Sequence, residues 1–216
     1  MFSTFIFDMD GVIIDSEPLH FKVDEYVMNT FGIDITQKEL EEFVGMTNPE
    51  MWSKLIAKYS LSQTVEEIIN LQLNTKLELL KQSNEQPIEG VKELIVTLKQ
   101  NQIRIGLASS SPRIFIEAVL KKFDIRHNFS DIISGEEVLK GKPAPDIYLR
   151  IAKLFGVRVE ECIVLEDSKN GIVAAKAAGM KCIGYKNLNS GNQDLSAADY
   201  IVNRIKEINY GTLKSL

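Results

Sequence analysis

The spacing of hydrophobic positions divides the chain into segments of two kinds. Residues 4–8 form a short apolar run that ends in an acid, as expected of a buried strand. Between residues 15 and 84 the apolar residues instead recur at helical spacing in three stretches, and no strand-like alternation interrupts them. Two Thr-x-x-Glu capping boxes, beginning at Thr36 and Thr64, indicate where helices start. This part of the chain is therefore predicted to be all-helical.

After Pro87, helical and extended patterns alternate. Helices are predicted over 91–100, 112–123, 145–155 and 170–178, and strands over 103–108, 131–134, 162–166, 181–185 and 198–202; residues 187–193 have the composition of a plain loop. Such alternation predicts a mainly parallel sheet covered by helices on both faces. The predicted fold class is α/β and Rossmann-like, with an all-helical cap inserted after the first strand. The predicted domains are an α/β catalytic core of 1–14 and 85–216, and a helical cap of 15–84.

Composition and charge narrow the classes of partner. The 216 residues are 44% hydrophobic and 25% charged, as in ordinary soluble globular proteins, and 30 acids against 25 bases give a net charge of −5. An acidic chain is a poor match for nucleic acid, and no apolar run has the ~18 residues that a membrane span needs. The amino terminus lacks a secretion-signal pattern, and Cys162 and Cys182 lie in apolar stretches. We expect reduced packing thiols, with a disulfide as the alternative, in a cytoplasmic monomer.

Two acidic pairs follow predicted strands. Asp8 and Asp10 stand two residues apart, directly before Gly11, and Glu166-Asp167 ends the strand predicted over 162–166. In open parallel sheets, ligands bind beyond the carboxyl ends of the strands. Carboxylates that converge there repel each other unless a cation lies between them, and oxygen ligands are those that Mg²⁺ prefers. The alternatives are a turn after an edge strand and a pair of unrelated helix caps.

Two further segments offer groups that bind phosphate. Ser109, Ser110 and Ser111 stand where a predicted strand passes into a helix, and hydroxyls and free amides at a helix amino terminus bind anions. Lys142 lies between Gly141 and Pro143 on a predicted loop, where it supplies a point charge suited to phosphate. Helix capping by the serines and a solvated surface lysine are the alternatives.

In this order, the four segments resemble the haloacid dehalogenase superfamily of phosphotransferases. The resemblance covers nearly the whole chain, since a helical cap after the first strand is also that family's arrangement. It implies an aspartyl-phosphate intermediate, with Asp8 as nucleophile, Asp10 as general acid and base, and Ser109 and Lys142 stabilising the phosphoryl group. It also implies a Mg²⁺ cofactor held by Asp8, the carbonyl of Asp10, Glu166 and Asp167.

The candidate substrate-binding residues are Gly11, Ser110 and Ser111 in the core, and Glu17, His20, Gly45 and Asn48 in the cap. A structural hydrogen bond at the start of a helix explains a histidine at position 20 equally well. The β-phosphoglucomutases resemble this chain in its core motifs but carry Lys and Arg in the cap loop, where Val44 and Asn48 stand here. A mutase must hold a bisphosphate, so the missing cations favour a phosphatase.

The sequence therefore predicts a Mg²⁺-dependent phosphatase whose partner is a small phosphorylated sugar or related metabolite. One alternative is a phosphosugar mutase of the β-phosphoglucomutase type. Another is a receiver-like signalling module, which also combines acids, Mg²⁺, a hydroxyl and a lysine. Receivers are shorter and lack a helical insertion, and they have the acidic pair early in the chain and the phospho-accepting Asp in the middle. This chain has the reverse order, since Asp8 comes first and the pair Glu166-Asp167 comes late.

Overall fold

A parallel sheet forms the centre of the fold. In residues 2–43 and 48–216, which the computed structural model describes, six strands make up this sheet. In chain order they are β1 (Thr4–Phe7), β2 (Arg104–Ser109), β3 (Asp131–Ser134), β4 (Cys162–Glu166), β5 (Lys181–Tyr185) and β6 (Tyr200–Val202). Their spatial order is β3-β2-β1-β4-β5-β6, with every neighbouring pair parallel. The order reverses beside β1, and doubly wound sheets bind their ligands at such a switch point.

The chain divides into two compact units, Met1–Asp15 with Glu85–Leu216 and, separately, Ser16–Asn84. The second unit contains α1 (Glu17–Thr30), α2 (Gln37–Glu41), α3 (Asn48–Tyr59) and α4 (Val65–Gln82). The first unit contains the sheet together with α5 (Val91–Gln100), α6 (Arg113–Lys122), α7 (Asp146–Phe155), α8 (Lys169–Ala177) and α9 (Tyr210–Lys214). Short 3₁₀ turns at Arg126–Asn128, Gly135–Glu137, Val159–Glu161 and Ile205–Glu207 complete it.

The sheet is buried on both faces, as its apolar strands predict. Side chains alternate along a strand, so Ile6 points to the face that carries the buried residues of α7 and α8, such as Ile151. Phe5 and Phe7 point to the other face, where their ring centroids lie 4.8 Å apart and Phe7 meets Phe129 at 5.9 Å. The predicted α/β fold is confirmed, and the helix and strand limits fall within about two residues of those predicted.

Both predicted capping boxes are present. The hydroxyl of Thr64 accepts a hydrogen bond from the backbone N–H of Glu67 at 3.2 Å, and Oε2 of Glu67 accepts one from the backbone N–H of Thr64 at 2.8 Å. Thr36 and Glu39 make the same reciprocal pair at the start of α2. Each box satisfies amide groups that a helix start leaves without an internal partner.

Two further observations concern the state of the cysteines and the length of the helices. Cys162 and Cys182 are free thiols in the buried core, and burial raises the pKa of Cys162 to about 12. Within the part of the chain that the structure describes, no helix combines the length and apolar character required to cross a bilayer.

The Thr64 box provides a direct test of this local structure. Replacing Thr64 with Ala should lower the free energy of unfolding by about 1 kcal/mol, because the backbone N–H of Glu67 in the first turn of α4 loses its acceptor. Thr64→Ser keeps the hydroxyl and should recover most of that loss. Urea unfolding followed by circular dichroism measures both variants, and equal destabilisation by Ala and Ser would contradict the capping role.

Candidate active site

Three carboxylates meet at the carboxyl end of the two central strands. Asp8 follows β1, and its backbone N–H donates to the carbonyl of Leu165 in β4 at 3.0 Å, which places it beside Glu166. Asp8, Glu166 and Asp167 are all buried, and one ligand atom from each lies within 4.8 Å of the others. Both predicted acidic pairs therefore contribute to one cluster.

Lys142 brings a positive charge into this cluster. Its Nζ donates to Oδ1 of Asp8 at 2.5 Å, to Oε1 of Glu166 at 2.6 Å and to the carbonyl of Ala108 at 3.2 Å. Only 7% of the lysine side chain is exposed. Burial by itself would lower the pKa of Lys142, but the charges and hydrogen bonds of Asp8 and Glu166 outweigh that effect and raise it. Lys142 is thus a buried, permanently charged group and not a solvated surface lysine.

Glu166 is held by groups for which the sequence offers no signal. The buried Tyr148 hydroxyl, on α7, donates to Oε1 of Glu166 at 2.8 Å, and the hydroxyl of Ser168 donates to Oε2 at 2.9 Å. A Cβ at Gly171 in α8 would overlap the Glu166 carboxylate, so a glycine there leaves the space that this side chain occupies. Tyr148 reads in the sequence as one more core position of an amphipathic helix.

The cluster has more negative than positive charge. Burial raises the pKa of Asp8 well above its ordinary value; Lys142 opposes this, and the neighbouring carboxylates add to it. Burial, followed by the charge of Glu166, raises the pKa of Asp167 to about 7. Three buried carboxylates around one lysine leave room in the charge balance for a divalent cation, and their oxygen-only chemistry fits Mg²⁺. Asp8, Glu166 and Asp167 are the side chains that would hold it.

Asp10 is oriented by two of the predicted phosphate-site serines. The hydroxyls of Ser109 and Ser111 donate to Oδ2 of Asp10 at 3.2 and 2.7 Å. The backbone N–H of Ser111 donates to the Ser109 hydroxyl at 3.0 Å, which links the pair. Helix α6 begins at Arg113, its N-cap residue is Pro112, and the Ser111 hydroxyl is directed to Asp10. Ser110, by contrast, is exposed.

Gly11 makes the tight turn that follows these acids. Its φ of +74° favours glycine, and its N–H donates to the carbonyl of Ile14 at 2.8 Å. A Cβ here would also overlap the carboxylate of Asp167 and approach the hydroxyl of Ser190. Asn187 donates from Nδ2 to the Gly11 carbonyl at 3.0 Å, and Ser190 donates to Oδ2 of Asp167. Residues 187–193, predicted as a plain loop, therefore contact the site, which their composition does not reveal.

The remaining candidates lie in the helical unit. Glu17 and His20 are half-buried residues of the first turns of α1, and Asn48 is the first residue of α3. Nδ2 of Asn48 donates to Oε1 of Gln72 on α4 at 2.8 Å. Gly45 lies outside the described residues.

A buried acid anchors this polar contact inside the helical unit. Nε2 of Gln72 donates to Oδ1 of Asp24 on α1 at 2.5 Å, so an amide on α4 links α1 to the start of α3. Burial raises the pKa of Asp24 to about 6, against the lowering effects of Gln72 and Lys76. Asp24 occupies a buried helical position, and a single acid in an amphipathic pattern gives no warning of such a contact.

The chain is similar to known proteins over most of its length. Residues 5–185 match the family model described as haloacid dehalogenase-like hydrolase. Hexitol phosphatase B of Escherichia coli K12 is 36% identical over 184 residues, covering 82% of this chain and 81% of that protein. The beta-phosphoglucomutase of Bacillus subtilis is 29% identical over 209 residues, covering 94% and 90%. The crystal structure of CbbY from Rhodobacter sphaeroides in complex with phosphate superposes with a TM-score of 0.90 at 25% identity, covering 99% and 100%.

The raised pKa values of the cluster predict how metal binding depends on pH. With its pKa raised to about 7, Asp167 holds a proton at about pH 5, whereas at about pH 8 it is ionised and able to bind a cation. In the metal-free protein, the stability that comes from the raised pKa of Asp167 is lost as the pH rises from about 4 to about 7. Adding Mg²⁺ should therefore raise the unfolding midpoint more at about pH 8 than at about pH 5.

Differential scanning fluorimetry of metal-free protein measures this difference. Asp167→Asn should weaken the Mg²⁺ effect and flatten its pH dependence, because the amide does not titrate. Asp194→Asn, at an exposed loop position, should behave like the parent protein. An equal Mg²⁺ shift at both pH values would count against the cluster as the metal site.

Proposed function

The chain belongs to the haloacid dehalogenase-like hydrolase family, and on that premise we propose that it is a Mg²⁺-dependent phosphatase of small phosphorylated sugars or related metabolites. The observation that carries this proposal is the contact of buried Lys142 with Asp8 inside a cluster of three carboxylates. The hexitol phosphatase relative supports a polyol or sugar as the phosphorylated substrate.

Asp8 is the proposed nucleophile. A carboxylate oxygen of Asp8 forms a bond to phosphorus while the bond from phosphorus to the ester oxygen breaks, which leaves a phosphorylated aspartate and an alkoxide. Water then attacks the same phosphorus, and inorganic phosphate and the free carboxylate are released. The covalent route divides one difficult displacement into two easier ones. Lys142, within 2.5 Å of Asp8, orients the nucleophile and offsets the charge of the phosphate that approaches it.

Asp10 is the proposed proton carrier. It gives its proton to the departing alkoxide in the first step and takes one from the attacking water in the second. The hydroxyls of Ser109 and Ser111, both bonded to Oδ2, fix the direction of this carboxyl group. When bound among Asp8, the Asp10 carbonyl, Glu166 and Asp167, Mg²⁺ would supply positive charge that offsets the charge of the phosphoryl group.

The helical unit is the proposed cap that selects the substrate. Glu17, His20, Gly45 and Asn48 are its candidate substrate-binding residues. The chain has Val44 and Asn48 where a mutase needs cations to hold a second phosphate, so hydrolysis is favoured over phosphate transfer between sugar positions. The beta-phosphoglucomutase relative makes the mutase the alternative that an experiment must distinguish.

Product analysis separates these activities. With hexose and hexitol monophosphates and Mg²⁺, we expect continuous release of inorganic phosphate. With β-glucose 1-phosphate, inorganic phosphate and free glucose should account for the substrate consumed. Accumulation of glucose 6-phosphate would show a mutase, and a single stoichiometric phosphorylation of the protein without turnover would show a receiver-like module.

The two aspartates should differ in their response to the leaving group. Asp8→Asn should reduce turnover by at least about a thousand-fold for every substrate, because the nucleophile is lost. Asp10→Asn should slow the first step strongly for alkyl phosphates and less for p-nitrophenyl phosphate, whose leaving group needs no proton. Single-turnover kinetics measure that step, and Asp194→Asn provides the control. Substantial activity in Asp8→Asn, or equal losses for both leaving groups in Asp10→Asn, would contradict these roles.

A further inference from the structure

The loop of residues 187–190, which follows β5, directs the side chains of Asn187 and Ser190 inward and that of Leu188 outward. Asn187 is only 9% exposed, whereas Leu188 is 86% exposed. Surface loops ordinarily keep polar groups in water, and apolar burial does not explain how this one is placed. Its inward contacts all reach segments that carry the proposed catalytic groups.

Ser190 contacts a proposed metal ligand directly. Its hydroxyl donates to Oδ2 of Asp167, and Gly11 leaves the space in which these two side chains meet. A carboxylate with one oxygen bonded to a fixed hydroxyl rotates less freely. Hydrogen bonds of this kind orient metal-binding side chains in proteins.

Asn187 supports the turn at Gly11, which follows the other pair of acids. Its Oδ1 accepts a hydrogen bond from the backbone N–H of Asn189 at 2.9 Å, which directs Nδ2 toward the Gly11 carbonyl at 3.0 Å. That carbonyl lies one residue beyond Asp10. The side chain of Asn189 in turn donates to Asp15, where the chain leaves the first unit.

Gln193 ties the loop to the segment that carries Asp167. Its Nε2 donates to the carbonyl of Ser190 at 2.9 Å, and its Oε1 accepts from the backbone N–H of Lys169 at 3.1 Å. Lys169 is the first residue of α8 and stands two positions after Asp167. Gln193 therefore links the backbone of Ser190 to the connection between β4 and α8. The Ser190 hydroxyl contacts Asp167 in the same connection.

We propose that the 187–190 loop is a positioning element for the metal site, in which Ser190 orients Asp167 while Asn187 holds the turn at Gly11. The inference rests on the proposed function in that it takes Asp167 to be a Mg²⁺ ligand. The loop touches no reacting atom in this account; it acts through Asp167 and the turn.

Calorimetric titration of Mg²⁺ into metal-free protein tests this role without measuring activity. Ser190→Ala should weaken Mg²⁺ binding about tenfold, as expected when a partner that orients a ligand is lost. Ser190→Thr keeps the hydroxyl and should bind Mg²⁺ nearly as tightly as the parent. Leu188→Ala, in the same loop but facing outward, should leave Mg²⁺ affinity unchanged, and the unfolding midpoint of metal-free Ser190→Ala should stay close to that of the parent.

Steady-state kinetics provide a second readout, with KM measured at saturating Mg²⁺ and the rate then followed as Mg²⁺ is varied. The KM of Ser190→Ala for its phosphorylated substrate should be unchanged, while the Mg²⁺ concentration needed for half-maximal rate should rise about tenfold. Parent-like Mg²⁺ affinity in Ser190→Ala, no recovery in Ser190→Thr, or an equal loss in Leu188→Ala would overturn the positioning role.

Asp167→Asn distinguishes a failure of this inference from a failure of the proposed function. If Asp167→Asn leaves Mg²⁺ affinity intact, the assignment of the metal site itself is wrong. If Asp167→Asn weakens binding but Ser190→Ala does not, only the role of the loop is wrong.

Discussion

The site depends on the burial of three carboxylates around one lysine. A carboxylate removed from water must be paired or protonated, and Lys142 pairs with only two of the three acids, Asp8 and Glu166. Burial, followed by the charges of the neighbouring carboxylates, raises the pKa values of Asp8 and Asp167. The burial of three carboxylates beside one lysine opposes folding. It is explained if a divalent cation binds among them and balances their charge. Perturbed titratable groups of this kind are concentrated at functional sites.

The parallel sheet makes this concentration of charge possible. Its strand order reverses beside β1, and β1 and β4 are parallel neighbours. The chain segments that follow these two strands therefore lie next to each other at the carboxyl end of the sheet. Asp8 and Glu166 are thereby brought together across 158 positions of sequence, and Lys142 bonds to both. Glycines at 11 and 171 then leave the space that Asp167 and Glu166 fill. Fold and site are linked through these close approaches.

The sequence predicts well those features that depend on short spacing. Local pattern predicts the strand and helix limits and the capping boxes at Thr36 and Thr64. The convergence of both acidic pairs follows from the rule that parallel sheets bind ligands beyond the carboxyl ends of their strands. Contacts with a residue far away in the chain are not predicted from the sequence. Tyr148 looks like a core residue and Ser190 like a loop residue, because nothing near either of them in the chain indicates the carboxylate that it contacts.

The serines before α6 show the same limit in another form. Their position at a strand end is predictable, and so is their closeness to the acids. Local pattern does not reveal that Ser109 and Ser111 both bond to Asp10, because Asp10 lies about a hundred residues earlier in the chain. Residue types and strand ends thus locate the site, whereas the pairing of donors with acceptors inside it requires coordinates.

Anomalous diffraction from crystals of the protein grown with Mn²⁺ in place of Mg²⁺ tests the central claim most directly. The account predicts a single strong peak among the carboxylates of Asp8, Glu166 and Asp167, with Lys142 still bonded to Asp8. A strong peak elsewhere on the molecule, with these three carboxylates showing no metal at a saturating concentration, would contradict it.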